Sequence, residues 1–172
     1  GELIASRPTY EELPVFAQRL GLTVRWTAPD ARHRHDLAAM REAINGQTRL
    51  VYVCNPNNPT GTAVTRDALE AFIRSVPAEC TVIVDEAYMD FVDQPGVASA
   101  VGLVNDAPNV LVLRTFSKIH GLAGLRIGFS PDFGRIPVDP RIAALAEAAV
   151  RALEGEGARL DRLADRVPHP WG

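Results

Sequence analysis

Short apolar runs alternate along this chain with stretches whose apolar residues recur every three or four positions. Leu50–Cys54, Thr81–Val84 and Val110–Arg114 are almost continuously apolar, the pattern of parallel strands covered by helices on both faces. Leu3–Ala5, Thr23–Trp26 and Leu125–Phe129 are further strand-like runs. Between them, Asp36–Ile44 places Leu37, Met40, Ala43 and Ile44 on one helical face, with Asp36 as its N-cap. Thr65 caps a second amphipathic helix over Arg66–Ser75, whose Leu69, Phe72 and Ile73 face inward. Glu11–Leu20 reads as a third helix, with Pro14 tolerated in its first turn and Gly21 closing its end. Strands alternating with helices in this way specify an α/β domain with a mostly parallel sheet.

The pattern changes after Phe129. Ser130–Pro140 carries three prolines and one glycine and reads as a linker. Arg141–Leu153, rich in Ala, Leu and Glu, predicts a helix, and Ala158–Val167 a further one; Pro168–Gly172 predicts a loose end. The expected division is therefore a domain over residues 1–130 and a Pro-rich linker with a helical tail over 131–172.

Composition adds limits. Of the 172 residues 47% are hydrophobic and 23% charged, ordinary values for a globular domain. A net charge of −3 and the lack of any basic cluster with interleaved aromatics argue against a nucleic-acid or anionic-membrane partner. The longest apolar runs are about six residues, against the roughly 20 that a membrane-spanning helix needs. Cys54 and Cys80 lie in no paired or metal-ligand spacing and are expected to be buried free thiols in a reducing cytoplasm. His33, His35 and His169 fall in loops without ligand spacing, so no metal site is expected. The first residues carry neither an initiator methionine nor a signal-peptide pattern, and a truncated or processed chain is expected.

Lys118 is the only lysine; the other 17 basic residues are arginines. It stands in Thr115-Phe116-Ser117-Lys118, a turn just after an apolar strand, where an amine can act as a nucleophile toward a carbonyl. Ser117 and Arg126, in Gly121–Gly128, are the residue types that hold a phosphate. Two more polar segments follow apolar strands, Asn55-Pro56-Asn57-Asn58-Pro59-Thr60-Gly61 and Asp85-Glu86-Ala87-Tyr88. In open α/β sheets ligands bind beyond the C-terminal strand ends, where all of these residues fall. A lysine amine, a carboxylate (Asp85) to face a pyridine nitrogen, and a hydroxyl and amide (Tyr88, Asn58) to contact a ring oxygen fit pyridoxal phosphate chemistry. Each segment taken singly also reads as an ordinary turn.

In these motifs, and in spacings of 27 residues from Asn58 to Asp85, 33 from Asp85 to Lys118 and eight from Lys118 to Arg126, the chain resembles fold-type-I, aspartate-aminotransferase-like enzymes. Its strongest likeness is to the histidinol-phosphate aminotransferase branch of class I/II. The resemblance covers about residues 2–130 and implies a three-layer α/β/α large domain, its mostly parallel sheet carrying one antiparallel strand at Leu125–Phe129. It implies pyridoxal 5'-phosphate as cofactor. Lys118 would be the catalytic Schiff-base lysine, Asp85 the pyridinium partner, Asn58 and Tyr88 the ring-oxygen contacts, and Ser117 and Arg126 the phosphate contacts. Tyr10, in Pro8-Thr9-Tyr10, would stack on the ring; Glu86 would serve packing or hydrogen bonding.

The implied partners are a small-molecule amino donor and a 2-oxo acid acceptor, histidinol phosphate and 2-oxoglutarate being favoured, with a homodimer or a complementing chain completing the site. Residues 131–172 do not resemble the family's small domain, and no phosphate-binding helix precedes Pro8. Weak cofactor binding and little transamination are therefore expected of this chain by itself, with residues 141–167 expected to cover the sheet edge left open. Two alternatives stand beside this reading. One is a non-catalytic remnant serving as a binding or assembly module, the other a lyase or decarboxylase of the threonine-phosphate decarboxylase type.

Overall fold

The computed structural model describes residues 1–121, 123, 127–129, 140, 144, 147, 148, 151 and 160–162. Two compact units divide the chain, Gly1–Gly121 and Leu122–Gly172. In the first, β1 (Glu2–Ser6), α1 (Glu12–Arg19), β2 (Thr23–Thr27), α2 (Leu37–Ala43), β3 (Thr48–Cys54), α3 (Arg66–Ser75), β4 (Thr81–Asp85) and β5 (Val110–Leu113) follow one another. Two short 3₁₀ turns, Met89–Phe91 and Ala100–Leu103, lie between β4 and β5. The five strands form one sheet in the order β2-β1-β3-β4-β5, every pair parallel. Because β2 and β3 flank β1 on opposite sides, the loops after β1 and β3 part at a topological switch point.

Side-chain alternation along each strand divides the core into two layers. On one face Ile4, Val51, Val53, Val82, Val84 and Val110 pack with Met40 of α2 and with Leu69, Phe72 and Ile73 of α3. On the other, Leu3, Ala5, Tyr52, Cys54 and Ile83 pack with Ala17 of α1 and the half-buried Leu13. Both free thiols are buried. The helix ends follow local chemistry: Asp36 accepts from the Ala39 N–H at 2.9 Å and Thr65 from the Ala68 N–H at 3.3 Å. Gly21, at φ 86°, closes α1 with paired bonds from the Gly21 and Leu22 N–H groups to the Gln18 and Ala17 carbonyls.

The antiparallel strand expected at Leu125–Phe129 takes another form. Ile127–Phe129 (β6) pairs in parallel with Leu160–Arg162 (β7) in a separate two-stranded sheet. The helix expected over Ala158–Val167 is therefore a strand at Leu160–Arg162. The physical reason is that β6 needs partners for its own N–H and C=O groups, and these three residues supply them. Ala144, Glu147, Ala148 and Arg151 are helical, as expected of Arg141–Leu153, and Pro140, expected in the linker, is helical too. The expected covering of the sheet edge by residues 141–167 lies outside the described residues.

Three buried polar side chains lock the loops beyond β1 and β3. Asn57 accepts from Thr9 Oγ1 at 2.8 Å and donates to the Pro8 carbonyl and to Thr60 Oγ1, tying the two loops together across the switch point. Asn55 clasps Val64, accepting from its N–H and donating to its carbonyl. His35, 5% exposed, donates from Nε2 to the Cys54 carbonyl at 2.8 Å, so it is a core residue and not a free loop side chain. Burial holds its proton affinity below the ordinary value.

Two outcomes follow from these locks. Asn57→Ala is expected to cost about 1–3 kcal/mol in urea unfolding, the toll of unpaired buried partners, and to speed amide exchange at Tyr10 and Asn58. A cost below ~0.5 kcal/mol with unchanged exchange would show that the loops do not depend on Asn57. His35 binds fewer protons folded than unfolded, so its contribution is complete above the unfolded value of 6.5 and is lost as pH falls through it. Below about pH 6.5, stability should fall by up to roughly 1.4 kcal/mol per unit more steeply in the wild type than in His35→Gln, with no difference in slope above about pH 7.5. Parallel pH profiles for the two proteins would contradict this.

Candidate functional site

The parallel register sets the last residues of three strands side by side on one face of the sheet: Cys54 pairs with Asp85, and Asp85 with Leu113. The ladder runs one step further, with the Asn55 N–H donating to the Asp85 carbonyl and the Glu86 N–H to the Leu113 carbonyl, each at 2.9 Å. Three polar loops therefore leave the sheet together, and the row Cys54-Asp85-Leu113 lines a cavity of about 270 Å³ between them.

Six of the seven residues singled out in the sequence line this one cavity: Tyr10, Asn58, Asp85, Tyr88, Ser117 and Lys118. The seventh, Arg126, lies outside the described residues. Lys118 is exposed, its Nζ 5.3 Å from the centre of the Tyr88 ring, close enough for a cation–π attraction. The turn that carries it closes by a bond from the Gly121 N–H to the Lys118 carbonyl, and Gly121 takes the left-handed φ of 63° that favours glycine. The loop before the lysine is organised by Thr115, whose Oγ1 accepts from the Ser117 N–H and donates to Ser117 Oγ at 2.9 Å. Two hydroxyls thus stand together on the cavity that Lys118 also lines, with the Ser117 proton left to be donated to an anion.

Asp85 is held from two sides. Its Oδ2 accepts from the Tyr52 hydroxyl at 2.8 Å and its Oδ1 from the Ala87 N–H at 3.1 Å. Burial, then the charge of Asp85, pushes the neighbouring Cys54 thiol up to about 11, so the thiol stays protonated. Glu86 turns away from this task. Fully buried, its carboxylate accepts from Ser99 Oγ, from the Ala100 N–H and from Arg114 Nη1. Arg114 in turn pairs with Asp90, and that hydrogen bond, first among its causes, raises the arginine's proton affinity further. The network joins the ends of β4 and β5 and fixes one wall of the cavity, which Arg114 also lines. Glu86 thus takes the hydrogen-bonding role expected of it.

Sequence reasoning missed Tyr52, Cys54, Arg114 and Thr115 as cavity or supporting residues. For Tyr52 the signal was present but unused: a tyrosine inside an otherwise aliphatic buried strand needs a partner for its hydroxyl. A larger cavity of about 380 Å³ adjoins, sharing Asn58 and Tyr88 and otherwise formed by Pro56–Ala63 and the Phe91–Gln94 segment.

One amine, one buried-side carboxylate, an amide and phenol pair, and adjacent hydroxyls make a donor set that suits a phosphorylated aromatic aldehyde. Residues 2–130 match the family model described as aminotransferase class I and II. An aromatic amino acid aminotransferase of Streptomyces avermitilis is 46% identical over 149 residues, which are 87% of this chain and 40% of that protein. A histidinol-phosphate aminotransferase of Moorella thermoacetica is 43% identical over 164 residues, 90% of this chain and 42% of that one. Among solved structures, histidinol-phosphate aminotransferase from Sinorhizobium meliloti in complex with pyridoxal-5'-phosphate superposes with a TM-score of 0.67 at 29% identity, over 73% of this chain and 34% of that one. The chain spans about two fifths of the length of the curated relatives it matches. With the family model matching residues 2–130, the chain belongs to the class I and II aminotransferase family.

Proposed function

We propose that this chain forms the cofactor-holding part of a pyridoxal-phosphate-dependent aminotransferase, which moves an amino group between an amino donor and a 2-oxo acid. The observation that carries the reading is the meeting of the only lysine with Asp85, Asn58 and Tyr88 around one cavity. When bound, pyridoxal phosphate supplies an aldehyde for an amine and an electron-poor ring that accepts charge from the substrate.

The chain's own residues take the remaining tasks. Lys118 Nζ would be the amine that holds the aldehyde and the base that carries a proton. Asp85, held at both oxygens, would face the ring nitrogen and hold a proton there. Asn58 and Tyr88 contact the ring oxygen, Tyr10 covers a ring face, and the Thr115–Ser117 hydroxyl pair receives the phosphate, with Arg126 adding its charge. Relatives named for aromatic amino acids and for histidinol phosphate support an amino donor with a planar ring in its side chain, histidinol phosphate included, and 2-oxoglutarate as acceptor. A homodimer or complementing chain in the cytoplasm is the setting in which such a site would be completed.

Titration of the purified chain with pyridoxal phosphate tests this. A saturable absorption band in the near-ultraviolet to violet, absent in Lys118→Ala and shifted by an amino donor, is the expected result. No saturable band in the wild type at millimolar cofactor, or an equal band in Lys118→Ala, would reject the reading and favour a binding or assembly module.

A further inference from the structure

We infer that Tyr52 is a positioning residue for Asp85, fixing the carboxylate's orientation and its hold on a ring-nitrogen proton; this rests on the proposed cofactor role of Asp85. Tyr52 stands two residues before Cys54 on β3, on the same face of the sheet, and Cys54 is the register partner of Asp85. Its phenol ring is fully buried in the layer formed with Leu3, Ala5, Ala17 and Ile83. From there the hydroxyl reaches diagonally to Asp85 Oδ2 at 2.8 Å.

A phenylalanine would fill the same apolar space, so packing does not explain the hydroxyl. A buried hydroxyl is costly unless it is bonded, and its bond here is to the one carboxylate among the described residues lining the cavity. Burial first, then Cys54 and Asp85, pushes the phenol far above its ordinary range, so it stays a donor at any working pH. A permanent donor to a carboxylate favours the charged form and makes it a weaker base. With Ala87 N–H on the other oxygen, the carboxylate is held in one rotamer. The Tyr52 hydroxyl on Oδ2 would then compete with a ring-nitrogen proton for the same carboxylate. Tyr52→Phe removes that donor without emptying the core.

Two measurements test the inference. The first needs no cofactor: urea unfolding of the wild type, Tyr52→Phe, Asp85→Asn and the double variant. Coupling of about fivefold to tenfold in the folding equilibrium is expected, as for residues sharing one hydrogen bond. The second reads the ¹⁵N shift of ring-labelled pyridoxal phosphate bound to the chain, which in Tyr52→Phe should move from the protonated toward the unprotonated position. An additive cycle, or an unchanged ¹⁵N shift in Tyr52→Phe with cofactor bound, overturns the inference and leaves the proposed function standing. Failure of the wild type to bind the cofactor overturns the proposed function and, with it, this role for Tyr52, even if the cycle is coupled.

Discussion

The parallel hydrogen-bond register of β3, β4 and β5 is the constraint on which the cavity depends. Side chains in a strand alternate between faces, so a slip of one residue would send Asp85 to the opposite layer. The register Cys54–Asp85–Leu113 instead puts the carboxylate in the middle of a row that opens at the C-terminal edge. It also brings the three polar loops out of the sheet at one level. Valines at 51, 53, 82, 84 and 110, fully or almost fully buried against α2 and α3, hold that register because any slip would exchange them for the opposite face.

Around this frame the buried polar groups act as fasteners. Asn57 joins the loop after β1 to the loop after β3, Asn55 closes the latter upon Val64, and Glu86 ties β4 to β5 through Ser99, Ala100 and Arg114. Each is satisfied by several partners, which is the condition for a polar side chain to be kept in a core. Three functional groups sit next to a residue of these networks: Asn58 beside Asn57, Asp85 beside Glu86, Thr115 beside Arg114. Rigid positioning is thus a local consequence of satisfied burial. The loops need no regular secondary structure of their own.

Much of this was legible in the sequence. Continuous apolar runs marked β3, β4 and β5, the Asp36 and Thr65 caps marked two helix starts, and motif spacing assembled Asn58, Asp85 and Lys118. What could not be read was three-dimensional and diagonal. The Tyr52–Asp85 bond spans 33 residues and the Thr9–Asn57 bond 48; a tyrosine in an aliphatic strand signals that its hydroxyl needs a partner, but no local pattern names that partner. His35 looked like a loop residue because its acceptor, the Cys54 carbonyl, belongs to another strand. The strand at Leu160–Arg162 was missed for a related reason: its Leu-Asp-Arg sequence has helical character, and only pairing with Ile127–Phe129 makes it extended.

The central claim is that a family cofactor would meet this chain at Lys118. The chain offers only two amines, Lys118 Nζ and the Gly1 terminus, so the claim has a direct chemical readout. Borohydride reduction of the chain mixed with pyridoxal phosphate, followed by peptide mass mapping, identifies the amine that was engaged. A pyridoxyl label on the peptide containing Lys118, approaching one per chain, is the predicted result. Label confined to the Gly1 terminus, or no label on either amine, would contradict it.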